Sequence, residues 1–167
     1  MRFHPAIENL KSLKNREFLS LRGVFGEFLP SLHKWENYKH RYEALNALGG
    51  GPLLTSHHEI DLAIYLIGNV DKVSCIFRNT SLDIDAPDHA ILNLFHCNGA
   101  ISNLDLNFYY RKYVRNFQIA TTQDMINYEP FGNGLKIGSE NYINYKDFDF
   151  NQTYVCLLYT SDAADES

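Results

Sequence analysis

The sequence is short of cysteine, of unbroken apolar runs and of basic charge. Three cysteines in 167 residues, Cys75, Cys97 and Cys156, are too few and too scattered for a disulfide framework or a zinc knuckle. Their odd count fits a reducing compartment, so a cytoplasmic chain is expected. No stretch approaches the roughly 18 to 20 apolar residues of a membrane span. The opening MRFHPAIENLKSLKN places charge where a secretory signal needs an apolar run, so neither a membrane nor export is expected. Fifteen Lys and Arg stand against 20 Asp and Glu, a net charge of −5 without long like-charge blocks. A protein that neutralises a phosphate backbone normally carries a basic patch or stripe, so nucleic acid is not an expected partner. What the chain does have is 45% apolar and 14% aromatic residues, enough for the core of about one domain.

The two ends differ from the middle. A helix that starts at Pro5 leaves little of the irregular chain usual at a natural N-terminus. Residues 156–166, CLLYTSDAADE, resemble the translation of a transposase adapter of the kind ligated to DNA fragments before sequencing. On that reading residues 156–167 are a non-native tail and the domain is 1–155, the alternative being a native strand CLLYT with a small acidic tail. The tail holds Asp162, Asp165 and Glu166 and no base, so without it 17 acids face 15 bases and the charge of −5 becomes −2.

Between the ends the pattern changes once. Up to about Gly68 the signals are helical, and beyond Val70 short strands and turns alternate. Pro5 with Ile7, Leu10 and Leu13 predicts a short amphipathic helix ending near Asn15. REFLSLRGVFGEFLP predicts a strand with a bulge or close backbone approach at its glycines, Gly23 and Gly26. SLHKWENYKHRY holds the only Trp and no clean period, which predicts a loop suited to ligand contact. GGGPLLTSHHEIDLAIYLIGN predicts a helix over 52–67, opened by Pro52 and closed by Gly68 and Asn69. At about 100° per residue, Leu53, His57, Ile60, Ile64 and Ile67 share one face and Thr55, His58 and Leu62 the other. The C-terminal end of that helix should be buried all round. Strands follow in VDKVSCIFRN, HAILNLFHC, AISNLDLNFYY, RNFQIATT, MINYEP, LKIGS and YINYK, with Asn98-Gly99 the strongest hairpin signal and Gln123-Asp124 a second turn. Helices grouped before antiparallel strands predict an α+β domain, an open, mainly antiparallel β-sheet with helices packed on one face.

GGGPLLTSHHEIDLAIYLIG, with RFHPAIENLK near the start and HKWENYKHRY between them, resembles the C-terminal domain of the Gfo/Idh/MocA oxidoreductases over nearly all of residues 1–155. The resemblance implies NAD(P)-dependent hydride transfer to or from a sugar, polyol or related hydroxy compound. It also implies a Rossmann domain in cis and homo-oligomers formed through the sheet. The Gly-rich turn that holds a dinucleotide pyrophosphate, G-x-G-x-x-G, is absent: GGGP lacks the spacing and Pro52 lacks a backbone donor. The NAD or NADP therefore belongs to the Rossmann domain, as does the family's motif ending in a catalytic Lys, which would precede Met1. The expectation is a fragment of a roughly twofold longer gene, inactive alone. The competing class is a non-catalytic ligand-binding or dimerisation domain.

By position His58 matches the family's catalytic histidine. Removing hydride from a carbinol carbon leaves a hydroxyl proton, and an imidazole with an ordinary pKa near about 6.5 is suited to carry it. The alternative is a helix-start histidine without chemistry. Many relatives carry an Asp three or four residues earlier, where this chain has Thr55 and Leu54; Thr55 keeps hydrogen bonding without charge and is expected as an accessory hydrogen-bond donor to the substrate. Trp35, Tyr38 and Arg41 match the family's substrate-side segment, a ring to lie under a sugar and a guanidinium for an anion, with a packed loop as the alternative. His57 and Asp61 have a metal-ligand spacing but no third ligand, so no metal is expected. Glu59 reads as a helix-start acid favoured by the macrodipole, and Arg111 and Arg115 as solvated strand-end charges.

Overall fold

The computed structural model describes residues 1–13, 16–32, 37–130, 134–139, 141–145, 147–149 and 151. Trp35 and the suspected tail, 156–167, lie outside the described residues. Helix α1 is Pro5–Ser12, followed by strand β1, Phe18–Phe28, and a single turn of helix α2, Leu29–Leu32. Three 3-10 turns at Tyr38–His40, Tyr42–Ala44 and Asn46–Leu48 lead into α3, Pro52–Thr55, and α4, His58–Ile67. The remaining elements are strands: β2 Val70–Arg78, β3 His89–His96, β4 Ile101–Asn107, β5 Tyr109–Thr121, β6 Met125–Glu129, β7 Gly134–Ile137 and β8 Asn141–Ile143. None of the described helices is long and apolar enough to cross a membrane.

The strands form one eight-stranded sheet in the order β2-β3-β4-β1-β5-β6-β7-β8. Every neighbouring pair is antiparallel except β1 and β4, which run parallel. The fold class is the expected α+β. Alternation puts Leu21 and Phe25 of β1, Leu92 and Leu94 of β3, Leu104 and Leu106 of β4 and Phe117 and Ile119 of β5 on the side of the helices, where they pack with Ile7 and Leu10 of α1 and Leu62 and Leu66 of α4. Each such side chain contributes about 1.5 to 3 kcal/mol by leaving water. β1 sits at the centre and carries the expected irregularity at a glycine, a register shift at Gly26/Phe28, and a second shift at Phe18/Ser20 that was not expected. At Gly26 a Cβ would fall 2.2 Å from the Tyr110 ring, so the ring occupies the room that only glycine leaves. The Asn98-Gly99 hairpin joins β3 to β4, with the Ala100 carbonyl accepting from His96 at 3.0 Å, and Thr121 closes the β5–β6 turn by accepting from the Gln123 and Asp124 amides.

Helix α1 shows how the local sequence sets an end. Pro5 needs no amide partner at a first helical position, and the His4 ring caps the turn, its Nδ1 accepting from the Ala6 amide at 3.2 Å. His4 is 1% exposed and set among the rings of Tyr128, Tyr145 and Phe148. Burial, helped by the nearby terminal amino group, pushes its pKa down to about 4. The folded state therefore prefers neutral His4, while the unfolded chain binds a proton near about 6.5. Stability is full above that value, falls as the pH drops toward about 4, and is flat below it with respect to this group. Chemical unfolding at a series of pH values should show this dependence, and His4→Gln should flatten it.

Candidate functional site

The segment that carries the site begins at a glycine turn. The Gly50 amide donates to the Leu45 carbonyl at 3.0 Å and the Gly51 amide to the Glu43 carbonyl at 2.8 Å. A Cβ at Gly50 would lie 2.6 to 2.8 Å from the carbonyl oxygens of Glu43, Tyr42 and Leu45, so packed main chain is the reason for glycine there. Gly51, at φ 94°, adopts the left-handed region and hands the chain to Pro52. An open, largely apolar cavity of about 350 Å³ lies against this turn, with Phe77 and Pro87 on its far wall.

The single helix expected over 52–67 is two pieces. Ser56 leaves helical geometry at φ −113° and ψ 39°, and α4 restarts at His58. The break separates the count over Pro52–Thr55 from the one that runs on from His58. The buried stripe of α4 is Glu59, Leu62, Ala63, Leu66 and Ile67. Leu62 is fully buried, as expected of the C-terminal end, while Ile64, expected to be buried there too, is 37% exposed. The helix is thus not buried all round. Its closing glycine is as expected, Gly68 at φ 122° donating its amide to the Ile64 carbonyl at 2.9 Å.

His58 is the first residue of α4 and half-buried. Its ring lies 4.5 Å from the His57 ring, tilted by 43°, and makes no hydrogen bond among the described residues. Burial lowers its proton affinity below the ordinary imidazole value, with further lowering from His57, Arg115 and the terminal amino group and opposition from Asp61. A helix N-terminus acts in the same sense, since its partial positive charge disfavours imidazolium. His58 is consequently a neutral imidazole near pH 7, able to accept a proton.

Beneath it lies what sequence reasoning missed. Glu59 is fully buried, and its Oε1 accepts from Arg115 Nε at 2.5 Å. Burial raises the Glu59 carboxyl above its usual range and Arg115 opposes this. Its Oε2 is buried and has no hydrogen-bond partner among the described residues. The Arg115 guanidinium also sits 5.1 Å from the centroid of the Phe25 ring, and its charge opposes the upward push that burial gives the Tyr113 phenol. Glu27 is close enough for burial to raise its carboxyl while Arg115 pulls it down. Glu59 is in the first turn of α4, where a helix-start acid was expected, but it is buried and paired, and the reading of Arg115 as a solvated charge is corrected. The available signal was parity, for Arg115 shares its side of β5 with buried Phe117 and Ile119. Arg111 does reach solvent, with its guanidinium 3.9 Å over the Phe28 ring.

The other candidates are less concentrated. Thr55 donates its hydroxyl hydrogen to the Gly51 carbonyl at 2.9 Å, so the expected donor role is corrected: the hydrogen is spent on the main chain and the oxygen is left to accept. Tyr38 is half-buried against the core and Arg41 is exposed. Among the described residues, neither makes a hydrogen bond, ion pair or ring contact with His57 or His58. Asp61 is held by Arg2, whose Nε donates at 2.8 Å. His57 is exposed, with Nδ1 3.3 Å from the Leu54 carbonyl, so His57 and Asp61 have separate partners. The described residues contain no group of three or more metal-ligating side chains.

A sequence profile described as the GFO/IDH/MocA C-terminal domain matches residues 17–127. No curated protein matches the chain. Among solved structures, the chain is similar to the WlbA dehydrogenase from Bordetella pertussis in complex with NADH and UDP-GlcNAcA. That match has 15% identity and a TM-score of 0.66, and covers 93% of this chain and 51% of that one. A levoglucosan dehydrogenase in complex with NADH and levoglucosan is similar at 20% identity and TM-score 0.67, over 82% and 41% of the two chains. An NAD binding oxidoreductase from Klebsiella pneumoniae matches at 16% identity and TM-score 0.68, over 80% and 40%. The chain spans about half the length of these structures or less.

Proposed function

Because the chain belongs to the GFO/IDH/MocA family, through its C-terminal domain, we propose that it is the substrate-side half of an NAD(P)-dependent oxidoreductase acting on a sugar, polyol or related hydroxy compound. The observation that carries this is His58, half-buried and kept neutral at the start of α4. A neutral imidazole there takes the proton that a carbinol hydroxyl gives up during oxidation and returns it during reduction. Thr55 orients a substrate hydroxyl by accepting from it, and Trp35, Tyr38 and Arg41 contact the substrate from the preceding loop.

The family implies a nicotinamide dinucleotide, and the glycine turn of this chain does not fit its pyrophosphate. The amides of Gly50 and Gly51 are spent on the Leu45 and Glu43 carbonyls, and Pro52 has none to offer. NAD or NADP accordingly falls to a Rossmann domain in cis, and residues 1–155 alone turn nothing over. NADH in the complexes of the WlbA and levoglucosan dehydrogenases supports this division, as do their sugar-type ligands. We place the enzyme in the cytoplasm and take residues 156–167 as a non-native tail. The DNA upstream of Met1 tests the scheme. An open frame encoding a Gly-rich βαβ unit and the family's Lys motif is expected, whereas a start codon with a ribosome site and no such unit would favour the non-catalytic binding domain.

The second partner is another copy. On the sheet face away from the helices, register aligns Ser74, Asn93, Asn103, Arg22, Gln118, Asn127 and Lys136 across seven strands. Asn103 Nδ2 donates to Asn93 Oδ1 at 2.9 Å within this stripe. Exposed Ile76, Phe95, Ile101 and Met125 flank it. Polar groups that pair reciprocally, edged by apolar ones, suit a twofold contact between sheets. Ile101→Glu should weaken association on the order of tenfold or more by sedimentation, with the circular dichroism of the fold retained. An unchanged association constant would remove the sheet from the interface.

A further inference from the structure

The Glu59–Arg115 pair is an expensive device if its only task is to hold the fold. Both ends are out of water, the Glu59 side chain entirely and the Arg115 side chain 11% exposed. Desolvation cancels much of the attraction of such a pair, so apolar side chains of similar volume would fill the space about as well. Its location suggests a different use. Glu59 follows His58 directly, and the 2.5 Å contact to Arg115 ties the first turn of α4 to the middle of β5. Phe25 of β1 holds the guanidinium from a further direction, its ring centroid 5.1 Å away.

We infer that Glu59 and Arg115 are positioning residues for His58: the pair pins the first helical turn with Glu59 inward and His58 outward, and it sets the charge that the imidazole faces. The inference rests on the reading of His58 as the proton carrier. The groups around that ring are His57 and Asp61 of its own segment, Arg115 from β5 and the amino group of Met1 from the N-terminal segment, with Arg2 holding Asp61. At His58 the Arg115 charge acts to lower proton affinity, and the Glu59 carboxylate paired with it carries the opposite sign. Removing one partner leaves a single buried charge of known sign next to the imidazole.

The titration of His58, followed by NMR in this chain without cofactor or substrate, separates a charge-setting pair from a merely structural one. Arg115→Gln removes the positive charge and should move the His58 titration to higher pH. Glu59→Gln leaves the guanidinium uncompensated and should move it to lower pH. Arg115→Lys keeps the charge and should leave it close to the unaltered chain. A structural pair would shift both Gln variants in the same direction, toward the ordinary imidazole value of about 6.5, as the turn loosens and water enters. Shifts of one sign, or no shift in either variant, would overturn the inference. If Arg115→Gln fails to fold, Glu59→Gln against Arg115→Lys decides it: a lower value for the first and none for the second is expected, and any other result overturns the inference. The titration needs no turnover, so it stands or falls apart from the assay of His58 in the joined enzyme.

Discussion

Arg115→Met is expected to destabilise the domain by about 3 to 5 kcal/mol, because it leaves the fully buried Glu59 carboxylate without its counter-charge. Against a total stability on the order of 5 to 15 kcal/mol for a domain of this size, that is a loss easily read in urea. The double variant Glu59→Leu/Arg115→Met should recover most of it, since two apolar side chains remove both desolvation costs at once. The coupling between the two changes, and not the single value, measures the pair. The pH dependence gives a second check. Burial raises Glu59 in the folded state above its unfolded value. A group shifted in this direction favours folding at low pH and loses that contribution as the pH rises through the folded value. In Arg115→Met, where the guanidinium no longer opposes the shift, the deficit should be smallest below about pH 4 and grow toward neutrality. A deficit independent of pH would mean that lost packing against Phe25, and not the carboxylate, is responsible.

The sheet was readable because its signals are local. Alternation in HAILNLFHC and RNFQIATT marks the inward residues Leu92, Leu94, Phe117 and Ile119, and the Asn98-Gly99 and Gln123-Asp124 turns mark where strands reverse. The parallel pairing of β1 with β4 was not readable, since nothing within either strand encodes a neighbour more than 70 residues away. The break at Ser56 was missed for a related reason. PLLTSHHEIDLAIYLIG has an apolar period that survives one irregular residue, so nothing in it marks the break, and its all-apolar C-terminal end does not tell that Leu62 faces in while Ile64 reaches solvent. At the candidate site, His58 was legible through its motif. The groups that set its surroundings were not, because Glu59 reads as an ordinary helix-start acid until Arg115, 56 residues on, is seen to reach it.

On the proposed function, His58→Ala, in this domain joined to the Rossmann half proposed for the same gene, is expected to have the largest effect on activity. General acid–base catalysis by a positioned side chain contributes roughly 10²- to 10⁴-fold, which corresponds to about 3 to 5 kcal/mol of transition-state stabilisation. His58 lies at the half-exposed start of α4 and makes no hydrogen bond among the described residues, so Ala there should leave folding nearly intact and the loss should fall on kcat. The depressed proton affinity of His58 gives the sign of the pH profile: oxidation of the hydroxy compound rises as the pH passes upward through the His58 value and levels off near neutrality, and the variant lacks that rise. The direct test is the ratio of kcat/KM for the joined protein with His58 and with His58→Ala, measured on a panel of sugars and polyols. A ratio of about 100 or more, with the pH limb gone, is the predicted result; equal turnover by the two proteins would contradict the account.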